Sequence, residues 1–267
     1  MKTSRQEEPL RKVAIVGFAD SYALAPFDDP SVEIHAINEL HKYLPRWDRW
    51  YELHSRESFE VKGNRDQDAH VRWLQSQPGV GQPGHKPIYM RELFADIPAG
   101  VVLPLQDLSD RFFGRFGQRP YFTSSIGYML AMAIAEGRDA DFQPISDEAV
   151  SWIGLYGIDL ASDTEYGEQR PNTEYFIGLA RGLGIHVEIA EGSALLKADH
   201  LYGFETRAEK EGCNGESFLR QRIAEIETQR SALIDSLKQF DGMLDENTYH
   251  LKRLQHVRRG VTLKATA

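Results

Sequence analysis

Short apolar runs alternate with helical patterns along the first three quarters of the chain. The runs with the length and composition of strands are 12–17, 32–38, 50–54, 86–90, 152–159 and 185–189. Helical patterns lie at 66–77, at 123–137 and after Pro171. Strands that alternate with helices predict βαβ units. The expected fold class is therefore α/β, a Rossmann-like, mostly parallel sheet flanked by helices.

In two stretches the hydrophobic residues follow neither the strand nor the helix period. Residues 91–119 contain Pro98 and Pro104 and read as an irregular, mobile segment over a site. Residues 161–176 are polar and follow the strand that carries Asp159, which predicts a catalytic loop. The next helix should begin near Pro171 or Asn172 and end at Gly184.

The C-terminal part changes character at Glu216. Apolar residues recur there with alternating spacings of four and three: Leu219, Ile223, Ile226, Leu233, Leu237, Phe240, Leu244, Leu251 and Leu254, with Arg230 and Asn247 in the two gaps. This heptad pattern predicts a long helix, or a helical hairpin broken near Asp241 and Gly242. Such a stripe needs a partner, and we favour self-association over packing on the preceding domain. The expected domains are 1–205 and 206–267.

The composition of the chain argues against several classes of protein. The 267 residues carry a net charge of -9, which disfavours broad binding of nucleic acid. The single Cys213 excludes an intrachain disulfide framework. Because there is no apolar run of about 18 residues and the N-terminus is polar, we expect a cytoplasmic protein without a membrane span. P-loop, nucleophile-elbow and zinc-protease motifs are absent from the sequence.

Polar residues fall at the predicted carboxyl ends of several strands. Gly17 ends the first strand without a G-x-G-x-x-G fingerprint, and Ser21 can cap the turn that follows. Asn38 ends the second strand, where it can read a base or ribose edge or cap a helix. His54 is a further ligand candidate at the end of the third.

The helix at 123–137 opens with a Ser/Thr-rich turn. Ser124 or Ser125 can cap it, and alternate alanines let it pack closely on a sheet. A capped helix N-terminus near Asp159, the acid at a strand end, is how open α/β sheets build nucleotide sites. In the polar stretch that follows, Tyr166, Gln169 and Arg170 are the residues of interest.

Four segments together resemble a known group. They are V-A-I-V-G-x-x-x-S (13–21), V-E-I-H-A-I-N (32–38), T-S-S-I-G-Y-M-L-A-M-A-I-A-E-G (123–137) and I-G-L-Y-G-I-D-L (153–160). Their order and spacing resemble bacterial sialyltransferases that use CMP-activated sugar, together with archaeal-type hydroxymethylpterin diphosphokinases. The chain also resembles uncharacterised phage-encoded proteins.

This resemblance implies roles for the matching positions. Gly17 and Ser21 would hold nucleotide phosphates, Asn38 would contact the nucleotide, and the residues near nucleotide or donor sugar would be Thr123, Ser124, Ser125 and Gly127. The chain departs from the family at Phe18, Ala19 and Asp20, where the family has Asn and Pro. The family's general-base His has no counterpart in the loop after the Asp159 strand. These departures weaken sialyl transfer specifically and leave nucleotide binding intact.

Three functions remain open from the sequence. In a nucleotide-sugar glycosyltransferase, Asp159 or Glu165 could act as base, Tyr166 or Tyr128 could bond the leaving phosphate, and Arg170 could supply counter-charge. No cofactor is firmly implied, but a diphosphokinase-like enzyme could hold Mg²⁺ with Asp20, Asp159 and Asp163. The third function is a catalytically silent assembly or interaction protein.

Overall fold

A computed structural model describes residues 11–60, 65–114, 117–160, 165–197, 202–203 and 216–265. The chain divides into two compact units, Met1–Lys197 and Ala198–Ala267. Each unit is described by itself below.

The first unit is built on a seven-stranded sheet whose order is β5-β4-β3-β2-β1-β6-β7. Every neighbouring pair is parallel. The strands are β1 Arg11–Val16, β2 Val32–Ile37, β3 Arg49–Glu52, β4 Ile88–Met90, β5 Gly100–Val102, β6 Val150–Tyr156 and β7 His186–Ile189. The α/β, Rossmann-like fold class expected from the sequence is confirmed.

Helices connect the strands. They are α1 Arg56–Phe59, α2 Arg65–Gln75, α3 Leu105–Phe113, α4 Ser125–Ala135 and α5 Glu165–Gly182, and two short 3₁₀ turns lie at Asp20–Leu24 and Asn38–Lys42. The second unit contains α6, Glu216–Ala265.

The core lies along the central strands and α4. Val13–Val16 of β1 are completely buried, as expected of a parallel strand covered on both faces. The helix α4 is apolar on all sides, and its residues from Met129 to Ala135 are all buried. Small alanines on this helix let its backbone approach β1, β6, α3 and α5. A rigid core therefore fixes the position of the α4 N-terminus.

The prediction of an irregular segment at 91–119 was wrong. Gly100–Val102 forms β5, and α3 begins at Leu105, directly after Pro104. The prolines delimit these elements instead of disrupting them, because an edge strand tolerates a nearby proline and a helix can begin after one.

The predicted start of the fifth helix was also wrong. The helix α5 begins at Glu165 and contains Pro171 in its interior, so the segment from 165 to 176 is not a loop. Residues 161–164 of the expected catalytic loop lie outside the described residues. Gly184, with φ 79°, lies just beyond the end of the helix, as expected.

The helix α6 is continuous over 50 residues, and Gly242 lies inside it. The predicted long helix is confirmed, whereas the alternative of a hairpin broken at Asp241 and Gly242 is wrong. Its heptad positions that the structure describes are about half exposed or more. No helix in the described ranges has the length and apolar character needed to cross a membrane.

Candidate functional site

The strand order reverses direction at β1. The strands β2 to β5 follow one another on one side of β1, whereas β6 and β7 lie on the other side. In an open parallel sheet, such a switch point leaves a crevice beyond the carboxyl ends of the two strands that flank it. The topology therefore places the best ligand position beyond Val16 and Tyr156.

A cavity of about 470 Å³ occupies this position. Its volume lies within the usual range of small-molecule sites, roughly 300–1,000 Å³. Segments from six parts of the first unit line it: Gly17–Ala19 after β1, Ile37 and Asn38 at the end of β2, His54 after β3, Thr123–Ile126 at the start of α4, Gly157–Leu160 after β6, and Gln169 of α5.

Two glycines let the ends of β1 and β6 pass close together. A Cβ atom on Gly17 would collide with the carbonyl oxygen of Gly157, and a Cβ on Gly157 would collide with that of Gly17. Gly157 also has φ 66°, a conformation that disfavours other residues. Both glycines line the cavity, so the closely packed ends of β1 and β6 form its floor.

Ser21, which follows β1, is hydrogen-bonded to two residues that follow β6. Its Oγ accepts a hydrogen bond from the amide of Gly157 at 2.9 Å and donates to Oδ1 of Asp159 at 3.1 Å. Ser21 does not itself line the cavity, whereas Asp159 does. The hydroxyl therefore holds the carboxylate of Asp159 at the edge of the cavity.

Asn38 has an unusual backbone and an unsatisfied side chain. Its φ is 51°, and its carbonyl oxygen accepts a 3.0 Å hydrogen bond from Nε1 of Trp50. Asparagine tolerates this left-handed conformation better than most residues. Its Oδ1 atom is buried and has no hydrogen-bond partner within the described ranges. A buried acceptor without a partner is costly, so this atom needs an explanation, such as a ligand that donates to it.

Leu160 is a second residue in the left-handed region at this cavity, with φ 45°. For a bulky residue this conformation is strained, and such strain is concentrated at functional sites. Leu160 and Asn38 follow two different strands, yet both line the same cavity.

The first turn of α4 faces the cavity. Ser124 is the N-cap, and its side chain accepts a 3.2 Å hydrogen bond from the amide of Gly127. Ser125 and Ile126, the next two residues, line the cavity. The first amides of a helix lack intrahelical acceptors and carry the positive end of the helix dipole, so this end favours an anionic group.

Asn172 holds the segment that precedes α4, a role that the sequence did not indicate. It is completely buried; its Nδ2 donates to the carbonyl of Tyr121, and its Oδ1 accepts from the amide of Thr123 at 3.4 Å. A Cβ on Gly127 would collide with this Oδ1, so Gly127 serves packing and does not line the cavity. Thr123 also donates to the carbonyl of Glu168 at 3.0 Å, which ties the segment to α5.

Two of the residues considered catalytic lie away from the cavity lining. The ring of Tyr128 stacks on Phe122 with centroids 4.0 Å apart, and burial raises the pKa of its hydroxyl. Arg170 forms a 2.8 Å ion pair with Glu174 and donates to the carbonyl of Lys197. The side chain of Tyr166 lies outside the described residues.

The metal-binding alternative lacks a complete cluster in the described ranges. No group of three His, Cys, Asp or Glu side chains there could hold a metal ion. Asp20 is exposed in the first 3₁₀ turn and is not part of the cavity lining. Asp163 lies outside the described residues, so the Mg²⁺ site of Asp20, Asp159 and Asp163 stays a prediction.

No family model matches the chain, and no curated protein matches it either. Among solved structures, it is similar to the sialyltransferase CstII from Campylobacter jejuni, solved in complex with a substrate analogue, cytidine-5'-monophosphate. The two share 14% identity, with 76% of this chain and 98% of the other covered and a TM-score of 0.38. At that TM-score the likeness carries no argument, so the fold assignment rests on the sheet topology described above.

Proposed function

We propose that the switch-point cavity binds a nucleotide and that the protein is a nucleotide-sugar-dependent glycosyltransferase. The observation that carries the nucleotide proposal is the buried Oδ1 of Asn38, which has no partner in the described ranges although Asn38 lines the cavity. A base N–H or a ribose hydroxyl is a donor of the right kind for this acceptor.

The two ends of a nucleotide have complementary partners in this cavity. The base or ribose would lie against Asn38, after β2. The phosphate would lie at the first turn of α4, where the amides of Ser125 and Ile126 and the helix dipole favour an anion. Gly17 and Gly157, which line the cavity between these ends, present backbone to it.

Sugar transfer is favoured over hydride transfer by the sequence. The first turn lacks G-x-G-x-x-G, the fingerprint of dinucleotide sites, and four segments resemble CMP-sugar transferases. In this proposal Asp159, which Ser21 holds at the cavity edge, accepts a hydrogen bond from a substrate hydroxyl. Tyr128 and Arg170 do not line the cavity, so the proposal gives them no direct contact with the substrate.

A thermal-shift screen tests the nucleotide site. The panel contains CMP, UDP, GDP, ATP and NAD, the common sugar conjugates of the first three, and a pterin, each with and without Mg²⁺. A ligand at about 100 times its dissociation constant adds about 2.7 kcal/mol of stability, which is a shift of several degrees. We expect a metal-independent shift with one nucleotide and its conjugates. No shift with any compound would contradict the proposal, and a shift only with Mg²⁺ would favour diphosphate chemistry.

We also propose that the protein self-associates through α6. The specific observation is the heptad stripe, whose residues are exposed in the single chain, Leu233 by 66%, Leu237 by 60% and Phe240 by 67%. Burying such a seam against a second copy removes apolar surface from water along several helical turns.

Light scattering coupled to size-exclusion chromatography tests self-association. The wild-type protein should elute with a multiple of the 30.4 kDa chain mass. Leu237→Lys, within the stripe, should lower that mass, whereas Thr228→Lys, off the stripe, should leave it unchanged. A wild-type mass equal to one chain would refute the proposal.

A further inference from the structure

A buried carboxylate lies at the end of β3, next to the nucleotide cavity. The side chain of Glu52 is 1% exposed. Its Oε2 bonds Nε2 of His70 at 2.8 Å, and its Oε1 bonds Nδ1 of His54 at 2.8 Å and the amide of His54 at 3.2 Å. Both oxygens are therefore engaged, as a buried carboxylate requires.

Glu52 stays ionised despite its burial. Burial by itself would raise its pKa, but the hydrogen bonds from His54 and His70 outweigh this effect and lower the pKa to about 2. A buried negative charge whose partners are two imidazoles orients both rings.

His54 is the exposed end of this arrangement, with a side chain that is 51% exposed. Because its Nδ1 bonds the carboxylate, the neutral ring carries its proton on Nδ1 and its lone pair on Nε2. The same carboxylate–histidine pair occurs in catalytic triads. There the carboxylate fixes the tautomer of the histidine and stabilises the imidazolium that forms when the histidine accepts a proton.

A second cavity, of about 230 Å³, adjoins the first. Phe18, Asn38 and His54 line both cavities, so His54 lies where the two meet. The smaller cavity has polar walls, including Ser58 and Gln67, with Phe59 as an apolar face. Hydroxyl, amide and aromatic groups together suit a compound that carries several hydroxyl groups.

We propose that His54, oriented by Glu52, is the general base of this site and that the smaller cavity holds the acceptor hydroxyl. This inference rests on the proposed glycosyl transfer. As the acceptor oxygen forms a bond to the anomeric carbon of the donor sugar, its proton passes to Nε2 of His54. The bond from that carbon to the phosphate oxygen breaks, and its electron pair leaves with the nucleotide phosphate. The proton on His54 then returns to solvent.

His70 acts behind Glu52 as a positioning residue. It is 1% exposed, and its other ring nitrogen lies 3.4 Å from Nδ1 of His41. The His41 ring in turn stacks on Trp73 with centroids 4.5 Å apart. Burial, the nearby His70 and Lys42 lower the pKa of His41 to about 4, so His41 is neutral near pH 7 and adds no charge to compete for the carboxylate.

Labelling with diethyl pyrocarbonate tests the pairing without any substrate. The hydrogen bond to Glu52 raises the electron density on Nε2 of His54. His54 should therefore react several-fold faster than His186, an exposed histidine in the terminal strand β7. In Glu52→Gln the two rates should become similar. Equal rates in the wild-type protein, or no change in Glu52→Gln, would overturn the proposal.

Turnover of the nucleotide sugar that shifts the melting temperature most tests the catalytic role. His54→Gln should lower kcat about 100-fold, a larger effect than on nucleotide affinity, and His186→Gln should match the wild-type protein. Retained kcat in His54→Gln would overturn the proposal. A silent nucleotide panel would instead overturn the proposed function, and the labelling rates would still decide whether Glu52 activates His54.

Discussion

The amino edge of the parallel sheet, where the strands begin, and the carboxyl edge, where they end, use their polar groups differently. Ion pairs dominate the amino edge, although a buried Nε of Arg138 there has no partner among the described residues, and the carboxyl edge opens onto a cavity. At the amino edge, Arg11 bonds Glu33 at 2.7 Å, Glu136 at 2.8 Å and Glu148 at 2.9 Å, and Arg49 also pairs with Glu136. At the carboxyl edge, Oδ1 of Asn38 has no partner in the described part of the chain.

Left-handed backbone occurs at both edges. Phe142, with φ 61°, lies before β6 at the amino edge and does not line the cavity. Asn38 and Leu160 adopt left-handed conformations at the carboxyl edge, where Gly17 and Gly157 also approach closely. An unsatisfied acceptor and strained backbone both cost stability, and proteins retain them where a ligand or reaction requires them. Asn38, Leu160, Gly17 and Gly157 all line the cavity. We therefore propose that the carboxyl edge serves binding and the amino edge serves stability.

Removing one carboxylate from the amino edge should give the largest effect. Glu136→Ala would leave Arg11 and Arg49 short of a partner in a half-buried network, which should cost about 3–4 kcal/mol of unfolding free energy. Urea unfolding measures this loss. Glu148→Ala, which removes the 63% exposed partner of the same Arg11, should cost less than about 1 kcal/mol. Equal losses would contradict the proposed division of roles.

The ionised carboxylate of Glu52 at the carboxyl edge should make the free energy of unfolding depend on pH. The pKa of Glu52 is lowered from 4.5 to about 2 by its histidine partners, against the opposing effect of burial. Its stabilisation is therefore complete above pH 4.5 and is lost as the pH falls toward 2, in total roughly 3 kcal/mol.

Urea titrations at several pH values should show this loss as a difference between two proteins. The neutral His41, with a pKa lowered to about 4, loses its own contribution between pH 6.5 and 4 in both. Below pH 4, the wild-type curve should remain steeper than that of Glu52→Gln. Parallel curves in that window would mean that Glu52 is not a paired carboxylate.

Asn38→Gly should separate binding from stability at the carboxyl edge. Glycine accepts φ 51° without strain and removes the unpartnered Oδ1, so the stability should change by less than about 1 kcal/mol. Nucleotide affinity should fall about tenfold, the effect of losing one hydrogen bond of about 1.4 kcal/mol. Titration calorimetry measures this change, and Glu148→Ala, an exposed position at the amino edge, serves as the control, with unchanged affinity. Unchanged affinity in Asn38→Gly would remove Asn38 from the site.

Ser21→Ala should give the smallest effect. The amide of Gly157 would lose its acceptor, at a cost of about 1 kcal/mol, and Asp159 would lose its donor. Thermal unfolding should show a decrease of about 2–4 °C. Ser31→Ala removes only an exposed hydroxyl that bonds Asp29 and should stay within about 0.5 kcal/mol of the wild-type protein. The same small effect in both variants would argue against a bridging role for Ser21.

Local patterns were enough to predict most of the sheet. Apolar runs ending in Gly17 and Gly157 mark β1 and β6, and Ser124 marks the start of α4, because strand composition and helix caps depend on neighbouring residues. Candidate residues after different strands, such as Asn38 and Asp159, line one cavity because the carboxyl ends of parallel strands meet at one edge.

The structural features that the sequence did not predict depend on contacts between residues far apart in the chain. The first turn of α5 precedes Pro171 and is tied to Thr123 through the carbonyl of Glu168, a contact between residues 45 positions apart. The burial of Asn172 and the bond between His70 and Glu52 likewise depend on how separate elements pack. No local periodicity encodes such contacts.

Hydrogen exchange with and without nucleotide tests the central claim most directly, since it locates binding on the sheet. CMP, UDP and GDP would each be added at millimolar concentration. We expect one of them to protect the carboxyl-edge segments, namely residues 17–21, 38–40, 123–127 and 157–160, and to leave the amino edge around Arg11 and Arg49 unchanged. Protection confined to the amino edge or to α6, or no protection with any nucleotide, would contradict the assignment of the carboxyl edge as the binding site.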